Sequence, residues 1–196
     1  MSEINPLVIF IAAIFTNNIL LANFLGMCSF IAISKTIKAS FGLGCAVTFV
    51  LTITTTTNWL MYHYLLKPLG LEYLYFIAFI MVIAALVQFV EMVIERYSPT
   101  LYFSLGIFLP LITVNCSILG ACLFSVVRHY TFVQTVSYGV GSGIGWTIAI
   151  CGMAAIRGKL RFANVPKAVE GIGITMIITG IMALAFSGFA GVVSIQ

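Results

Sequence analysis

Five cysteines are the residues of this chain with the widest chemical range: Cys28, Cys45, Cys116, Cys122 and Cys151. A cysteine thiolate binds soft metal ions, and two thiols can join as a disulfide. Cys45, Cys122 and Cys151 lie in regular apolar stretches beside glycine or alanine, where cysteine usually acts as a small buried apolar residue. We interpret these three as packing residues.

Cys28 and Cys116 occupy equivalent positions in two similar segments. Segment 20–32 reads LLANFLGMCSFIA and segment 108–120 reads FLPLITVNCSILG, and aligning the cysteines also aligns the serine that follows each one. The offset is 88 residues in a chain of 196, close to half its length. The spacing therefore predicts an internal repeat.

The composition indicates whether the chain, and so its cysteines, lies in water or in a membrane. Hydrophobic residues make up 62% of the chain and charged residues only 7%, whereas a soluble domain carries about 25% charged residues. This excludes a soluble enzyme, a nucleic-acid-binding protein and a disordered chain. The chain is predicted to be an all-α integral membrane protein whose main partner is the lipid bilayer.

Six transmembrane helices fit the hydropathy, since each needs about 20 mostly apolar residues. The breaks between them contain Lys, Arg, Pro or Gly, and none is long enough for a further domain, so residues 1–196 form a single polytopic domain. The predicted spans cover approximately residues 6–33, 42–66, 72–94, 100–127, 132–156 and 170–194.

The basic residues predict the orientation of these spans. Loops one, three and five share one side and carry seven Lys or Arg residues, whereas the other side carries only Lys67 and Arg128. The positive-inside rule makes the first side cytoplasmic, so both termini face outward. The seven residues are Lys35, Lys38, Arg96, Arg157, Lys159, Arg161 and Lys167.

The repeat has three spans in each half, over about residues 1–98 and 99–196. An odd number of spans forces the second half to enter from the opposite face, which is an inverted-topology repeat. The first span of each half contains residues that interrupt helices, notably Asn17, Asn18, Asn23 and Gly26 in one and Pro110 and Asn115 in the other. We predict a broken helix in each, with a kink or break at Pro110 and the two interruptions facing each other.

The residues alone allow three roles for Cys28 and Cys116. They could pack as small buried apolar residues, join as a disulfide or bind a metal. A disulfide is poorly motivated, because a helical bundle of this size needs no cross-link. Structural zinc and a [2Fe–2S] cluster each need four protein ligands, so two thiolates make only half a site. A metal-binding chain of this kind needs a second copy or a homologous partner.

Six segments of the chain form a recognisable set: FLGMCSF (24–30), FGLG (41–44), VQFVEM (87–92), LGIFLPLITVNCSILG (105–120), YGVGSGIGW (138–146) and GIGIT…IMALAFSGFAGV (171–192). They resemble the E-subunit family of the sodium-translocating NADH:quinone oxidoreductase, and the resemblance covers nearly the whole chain. The most specific piece, LGIFLPLITVNC, also occurs with small changes in the A subunit of the Rnf ferredoxin:NAD⁺ oxidoreductase. The short second loop (KPLGLEYL) is more similar to the Rnf protein, which is therefore the alternative.

The resemblance implies a specific role for the two cysteines. In that family the protein pairs with the homologous D subunit, inserted the opposite way, and the two share one intramembrane [2Fe–2S] cluster. Cys28 and Cys116 match the ligand positions for its iron. The cluster would relay electrons while the complex, completed by the A, B, C and F subunits, oxidises NADH, reduces ubiquinone and exports Na⁺ across the bacterial inner membrane. Flavins and NADH would bind to other subunits.

Other polar residues have simpler interpretations. Glu91 lies near the predicted cytoplasmic end of its span, where a solvated carboxylate is the simpler reading and a Na⁺ ligand the alternative. The run Thr52–Thr57 is typical of threonines that bond the preceding helical turn, with a cation path as the alternative. GVGSGIG (139–145) lacks the strand that a dinucleotide-binding loop requires, so its glycines predict close helix packing.

A second class of function fits the same architecture. Inverted repeats with broken helices are the common plan of secondary transporters and channels. The matched cysteine pair favours electron transfer, because it stands where a transporter would place its substrate ligands.

Overall fold

The computed structural model describes residues 5–97, 109–162, 166 and 171–189 of the chain. As the sequence predicts, this part is helical, with tight turns and short links between the helices. The helices are α1 (Pro6–Ile14), α2 (Met27–Ile33), α3 (Ile37–Met61), α4 (Lys67–Leu69), α5 (Tyr75–Tyr97), α6 (Leu109–Thr113), α7 (Cys116–Val127), α8 (Phe132–Leu160) and α9 (Ile172–Ser187). A π-helical turn (Tyr62–Leu66) joins α3 to α4, and a 3₁₀ turn (Glu72–Leu74) precedes α5.

Three helical stretches of the described residues are long and apolar enough to cross a bilayer. They cover Ile37–Leu69, Tyr75–Val93 and Phe132–Leu160, while Leu111–Val127 and Ile172–Ser187 are shorter apolar helices. The predicted first span is not one continuous helix, because residues 15–26, which link α1 to α2, are not helical. The arrangement as six spans in two inverted repeats stays a prediction.

Helix ends differ from the predicted spans where basic residues enter a terminal turn. α3 begins at Ile37, so Lys38 lies in its first turn instead of in a loop. α8 continues to Leu160 and includes Arg157 and Lys159 in its last turn. Basic side chains are favourable at a helix C-terminus because the helix dipole is negative there, so charge alone does not locate the end of the helix.

The helical break in the second cysteine segment also differs in position from the prediction. The chain is helical from Pro110 to Thr113, and the break follows at Val114 and Asn115. Proline is compatible with helical backbone at its own position, because its ring fixes φ near about −65°, a helical value.

α8 is the central helix and packs along α3 through small residues. A Cβ atom on Gly143 would lie 2.7 Å from Thr48 Cα, and Gly139 meets Thr55 closely in the same way. Thr48 and Thr147 also share a hydrogen bond of 3.2 Å between their hydroxyls. As residue numbers rise along α3 they fall along α8, so the two helices are antiparallel.

The same glycine-rich stretch of α8 also receives α1. A Cβ atom on Gly141 would lie 2.8 Å from the Phe10 carbonyl oxygen, and one on Gly145 would lie 3.0 Å from the Ala13 carbonyl oxygen. The prediction that the GVGSGIG glycines permit close helix packing is therefore confirmed.

Contacts between distant loops define the two ends of the bundle. At one end, Arg157 Nη1 donates to Ser34 Oγ at 2.7 Å. At the other, Trp59 Nε1 donates to the Tyr130 carbonyl oxygen at 2.8 Å. The first and fifth predicted loops thus meet at one end, and at the other the C-terminal part of α3 meets the fourth predicted loop.

Candidate functional site

The first half of the site is the chain reversal before α2. Gly26 has φ 84° and precedes α2, whose second residue is the exposed Cys28. Asn18 fixes this irregular link, because its Nδ2 donates to the Gly145 carbonyl oxygen at 2.8 Å and its Oδ1 accepts from Leu20 N–H at 3.1 Å. The second bond satisfies a backbone N–H in the non-helical link, and the first ties this link to α8.

The second half of the site is the start of α7. Asn115 caps this helix, since its Oδ1 accepts from the Ser117 N–H at 3.1 Å. Cys116, the first residue of α7, is half-buried. Cys116 therefore lies at the N-terminal end of α7, where the helix dipole is positive.

The two interruptions are in direct contact. The Gly26 N–H donates to Cys116 Sγ at 2.9 Å, and Ser117 Oγ donates to the Leu25 carbonyl oxygen at 2.7 Å. The structure thus brings the cysteine-bearing breaks of the two halves together, as the sequence predicts.

Gly26 is the residue that permits this contact. Its positive φ is a backbone conformation that L side chains rarely adopt. A Cβ atom there would also overlap Ser117 Oγ and would approach Trp146 Nε1 to 2.8 Å and Asn115 Oδ1 to 3.0 Å. Both the turn and the close approach of the two halves therefore require glycine.

Two buried hydrogen-bond donors at the site lack an acceptor in the part of the chain that the structure describes. Trp146 Nε1 and Asn115 Nδ2 are buried and have no acceptor among the described residues. Together with the Gly26 N–H, these groups favour an anion beside Cys116. Thiolates that ligate iron carry negative charge, so the donor set fits a cysteine-bound iron–sulfur group.

The described residues supply only part of a metal site. All five cysteines are free thiols. No group of three or more His, Cys, Asp or Glu comes together among the residues described. A metal held by Cys28 and Cys116 would need ligands from elsewhere.

The other three cysteines do not share one environment. Cys122 is buried and its Sγ accepts from Asn58 Nδ2 at 3.1 Å, which confirms its interpretation as a packing residue. Cys151 is half-buried, and Cys45 is exposed on α3, so the same interpretation is wrong for Cys45. α3 is apolar on most of its circumference, and its hydropathy therefore does not distinguish the buried side.

Of the remaining candidates, the threonine run has a clear structural role. Each of its five hydroxyls donates to the carbonyl oxygen four residues earlier, at 2.7–2.9 Å, as the packing interpretation predicts. Glu91 is half-buried within the apolar stretch Tyr75–Val93. The five threonines are Thr52, Thr54, Thr55, Thr56 and Thr57.

The two histidines lie away from the helix breaks, at the end of the bundle where Trp59 meets Tyr130. His63 stacks on Trp59 with ring centroids 4.8 Å apart, and His129 occupies the turn just before Tyr130. Neither therefore joins the cysteines.

Sequence reasoning did not single out Trp146 or the contact that Arg157 makes. Both act through partners more than 100 residues away in the chain, and no short-range pattern encodes such pairs. The serine after each cysteine was the available signal for the contact between the breaks.

The family model and the individual relatives that match this chain point to the same family. The family described as "Rnf-Nqr subunit, membrane protein" matches residues 7–193. Proteins named as the E subunit of the Na(+)-translocating NADH-quinone reductase are similar over 94% of this chain and 96% of their own length, with 53% identity in Serratia proteamaculans and 51% in Proteus mirabilis. The protein of that name from Aeromonas hydrophila is 52% identical over 188 residues.

Proposed function

This chain belongs to the Rnf-Nqr family of membrane subunits, and we propose that it is the E subunit of a Na⁺-translocating NADH:ubiquinone reductase. In this role it is not catalytic alone. It carries electrons through the membrane part of the complex while Na⁺ is exported, and other subunits bind NADH and the flavins.

The observation that carries this proposal is the contact between the two cysteine-bearing breaks. Cys116 lies against the turn that leads into the helix of Cys28, with its sulfur bonded to the Gly26 N–H. The two thiols would hold iron of a [2Fe–2S] cluster, which supplies a one-electron carrier when bound. The positive end of the α7 dipole and the Gly26 N–H would face the negative charge of such a cluster.

A homologous partner, the D subunit, would supply the other two thiolates. Cys28 is exposed and Cys116 half-buried in this chain, so both are accessible from outside it. An exposed ligand is unfavourable for a cluster in isolation, because water and oxidants reach it. The partner would therefore both complete and cover the site.

The orientation proposed for the chain follows its basic residues. The end of the bundle that carries Arg157 and the 34–36 turn would face the cytoplasm, and the end that carries Trp59 and Tyr130 would face outward. In a bacterial inner membrane with two inverted repeats of three spans, both termini would then lie on the periplasmic side.

Iron analysis of cysteine variants tests the proposal. We expect Cys28→Ala and Cys116→Ala each to remove the cluster's EPR signal and the corresponding iron from the purified complex. Cys45→Ala and Cys151→Ala are matched controls, because one removes an exposed and the other a half-buried thiol away from the breaks. A complex that keeps its iron and EPR signal in both site variants would refute the assignment.

The A subunit of an Rnf complex is the second candidate, favoured by the short connection between α3 and α5. Ferredoxin-dependent reduction of NAD⁺ by the purified complex would identify it, whereas NADH-dependent quinone reduction identifies the first. A complex without iron at these cysteines would instead favour an inverted-repeat transporter or channel.

A further inference from the structure

Trp146 is a fully buried side chain at the site whose polar group has no partner. It is 0% exposed, and its Nε1–H has no acceptor among the residues described. Burying a donor without an acceptor is unfavourable, and most buried donors in proteins are satisfied. An apolar aromatic side chain would pack there without this cost, so the indole N–H points to a role beyond packing.

The position of the indole N–H connects it to the cysteine site. A Cβ atom on Gly26 would lie 2.8 Å from Trp146 Nε1, so the indole nitrogen lies directly against the turn at Gly26. The N–H of that same glycine donates to Cys116 Sγ at 2.9 Å. Asn115, the residue before Cys116, has a second buried donor without an acceptor among the described residues, its Nδ2.

α8 holds the indole rigidly in this position. Gly145, the residue before Trp146, accepts a hydrogen bond of 2.8 Å from Asn18 through its carbonyl oxygen. Its Cα also lies against α1, where a Cβ would meet the Ala13 and Ile14 carbonyl oxygens at 3.0 Å. The backbone that carries the indole is therefore held in place by Asn18 and α1.

We propose that Trp146 is a positioning residue for Cys116, which fixes the Gly26 turn and directs a positive N–H dipole toward the negative charge around the sulfur. This inference rests on the proposed function. Donors near ligating sulfurs stabilise the more negative, reduced form of an iron–sulfur group and raise its reduction potential. Trp146 would thus set the potential without touching the iron.

The test is a redox titration of the purified complex followed by EPR. Trp146→Phe keeps an aromatic ring and removes the N–H, and we expect an unchanged iron content with a midpoint potential shifted to more negative values. Trp59→Phe is the matched control, because it removes the chain's other indole N–H at the far end of the bundle, where Nε1 bonds Tyr130. We expect no shift in this control.

A normal iron content with an unchanged potential in Trp146→Phe would overturn the inference while leaving the proposed function intact. Absence of a cluster from the unsubstituted complex would instead refute the proposed function itself. If Trp146→Phe loses iron or does not assemble, 5-fluorotryptophan placed at position 146 alone, by stop-codon suppression, decides. Fluorine strengthens the N–H donor with little change in size, so a more positive potential supports the inference and an unchanged one overturns it.

Discussion

The guanidinium of Arg157 donates to Ser34 Oγ at 2.7 Å and to the Ile31 carbonyl oxygen at 2.9 Å. Both acceptors belong to the C-terminal end of α2, the short helix that begins beside Gly26. α2 is therefore held at both ends by the second half of the chain, through Cys116 at its start and Arg157 at its finish. A seven-residue helix has little stability of its own, so these contacts position Cys28.

Arg157→Ala should loosen α2. Hydrogen bonds to a charged group contribute about 1.5–3 kcal/mol each, so we expect a lower thermal unfolding temperature and a reduced iron content of the complex. Arg161→Ala, which removes an exposed arginine one turn later, should have little effect. Equal losses in the two variants would contradict the anchoring role.

Gly26→Ala should disrupt the contact between the breaks. The left-handed conformation costs an L residue about 1–2 kcal/mol, and the new Cβ would also displace Ser117 and Trp146. We expect reduced stability and loss of iron. Gly42→Ala in α3 is the control, since a Cβ there meets nothing within 4 Å and alanine is the better helix former by about 1 kcal/mol. Unfolding curves and iron analysis of both variants check this prediction.

Gly143→Ala should separate α8 from α3. Its Cβ would lie 2.7 Å from Thr48 Cα, and overpacking of this kind costs about 1–3 kcal/mol. The unfolding temperature in detergent should fall. Gly158→Ala in the same helix meets nothing within 4 Å and should not lower it, so a comparable fall in this variant would show that helix packing is not the cause.

Thiol labelling in intact cells checks the proposed orientation. Phe162 is 93% exposed at the end of the bundle with Arg157, and Tyr73 is 77% exposed at the opposite end. We expect a membrane-impermeant maleimide to label Tyr73→Cys in intact cells and Phe162→Cys only after permeabilisation, with the unsubstituted chain as baseline. The reverse labelling pattern would show that the chain has the opposite orientation in the membrane.

The sequence was sufficient to predict the parts of the fold that depend on local chemistry. Asn and Gly in the cysteine segments predicted the breaks, whereas Pro110 lies within a helix, and the glycines of α8 predicted its close contacts. The end of α8 was misplaced because Arg157 and Lys159 suit a C-terminal helical turn as well as a loop. The start of α3 was misplaced because Lys38, taken as a loop residue, lies in the first turn of the helix.

The parts of the site that could not be predicted depend on long-range contacts. Trp146 meets Gly26, and Arg157 meets Ser34, only after the two halves of the chain have packed together. Cys45 shows a related difficulty, because a membrane helix is apolar toward lipid and toward protein alike. Hydropathy therefore cannot distinguish its two sides.

The antiparallel seam between α3 and α8 has a consequence for the divergence of this family. At each level a glycine of one helix receives a threonine of the other: Gly44 meets Thr147, Gly143 meets Thr48, and Gly139 meets Thr55. Enlarging either member leaves no room for its partner, so we expect substitutions at these positions to be inherited as compensating pairs. Substitutions in α3 and α8 would then be correlated among family members, although the two residues of each pair lie far apart along the chain.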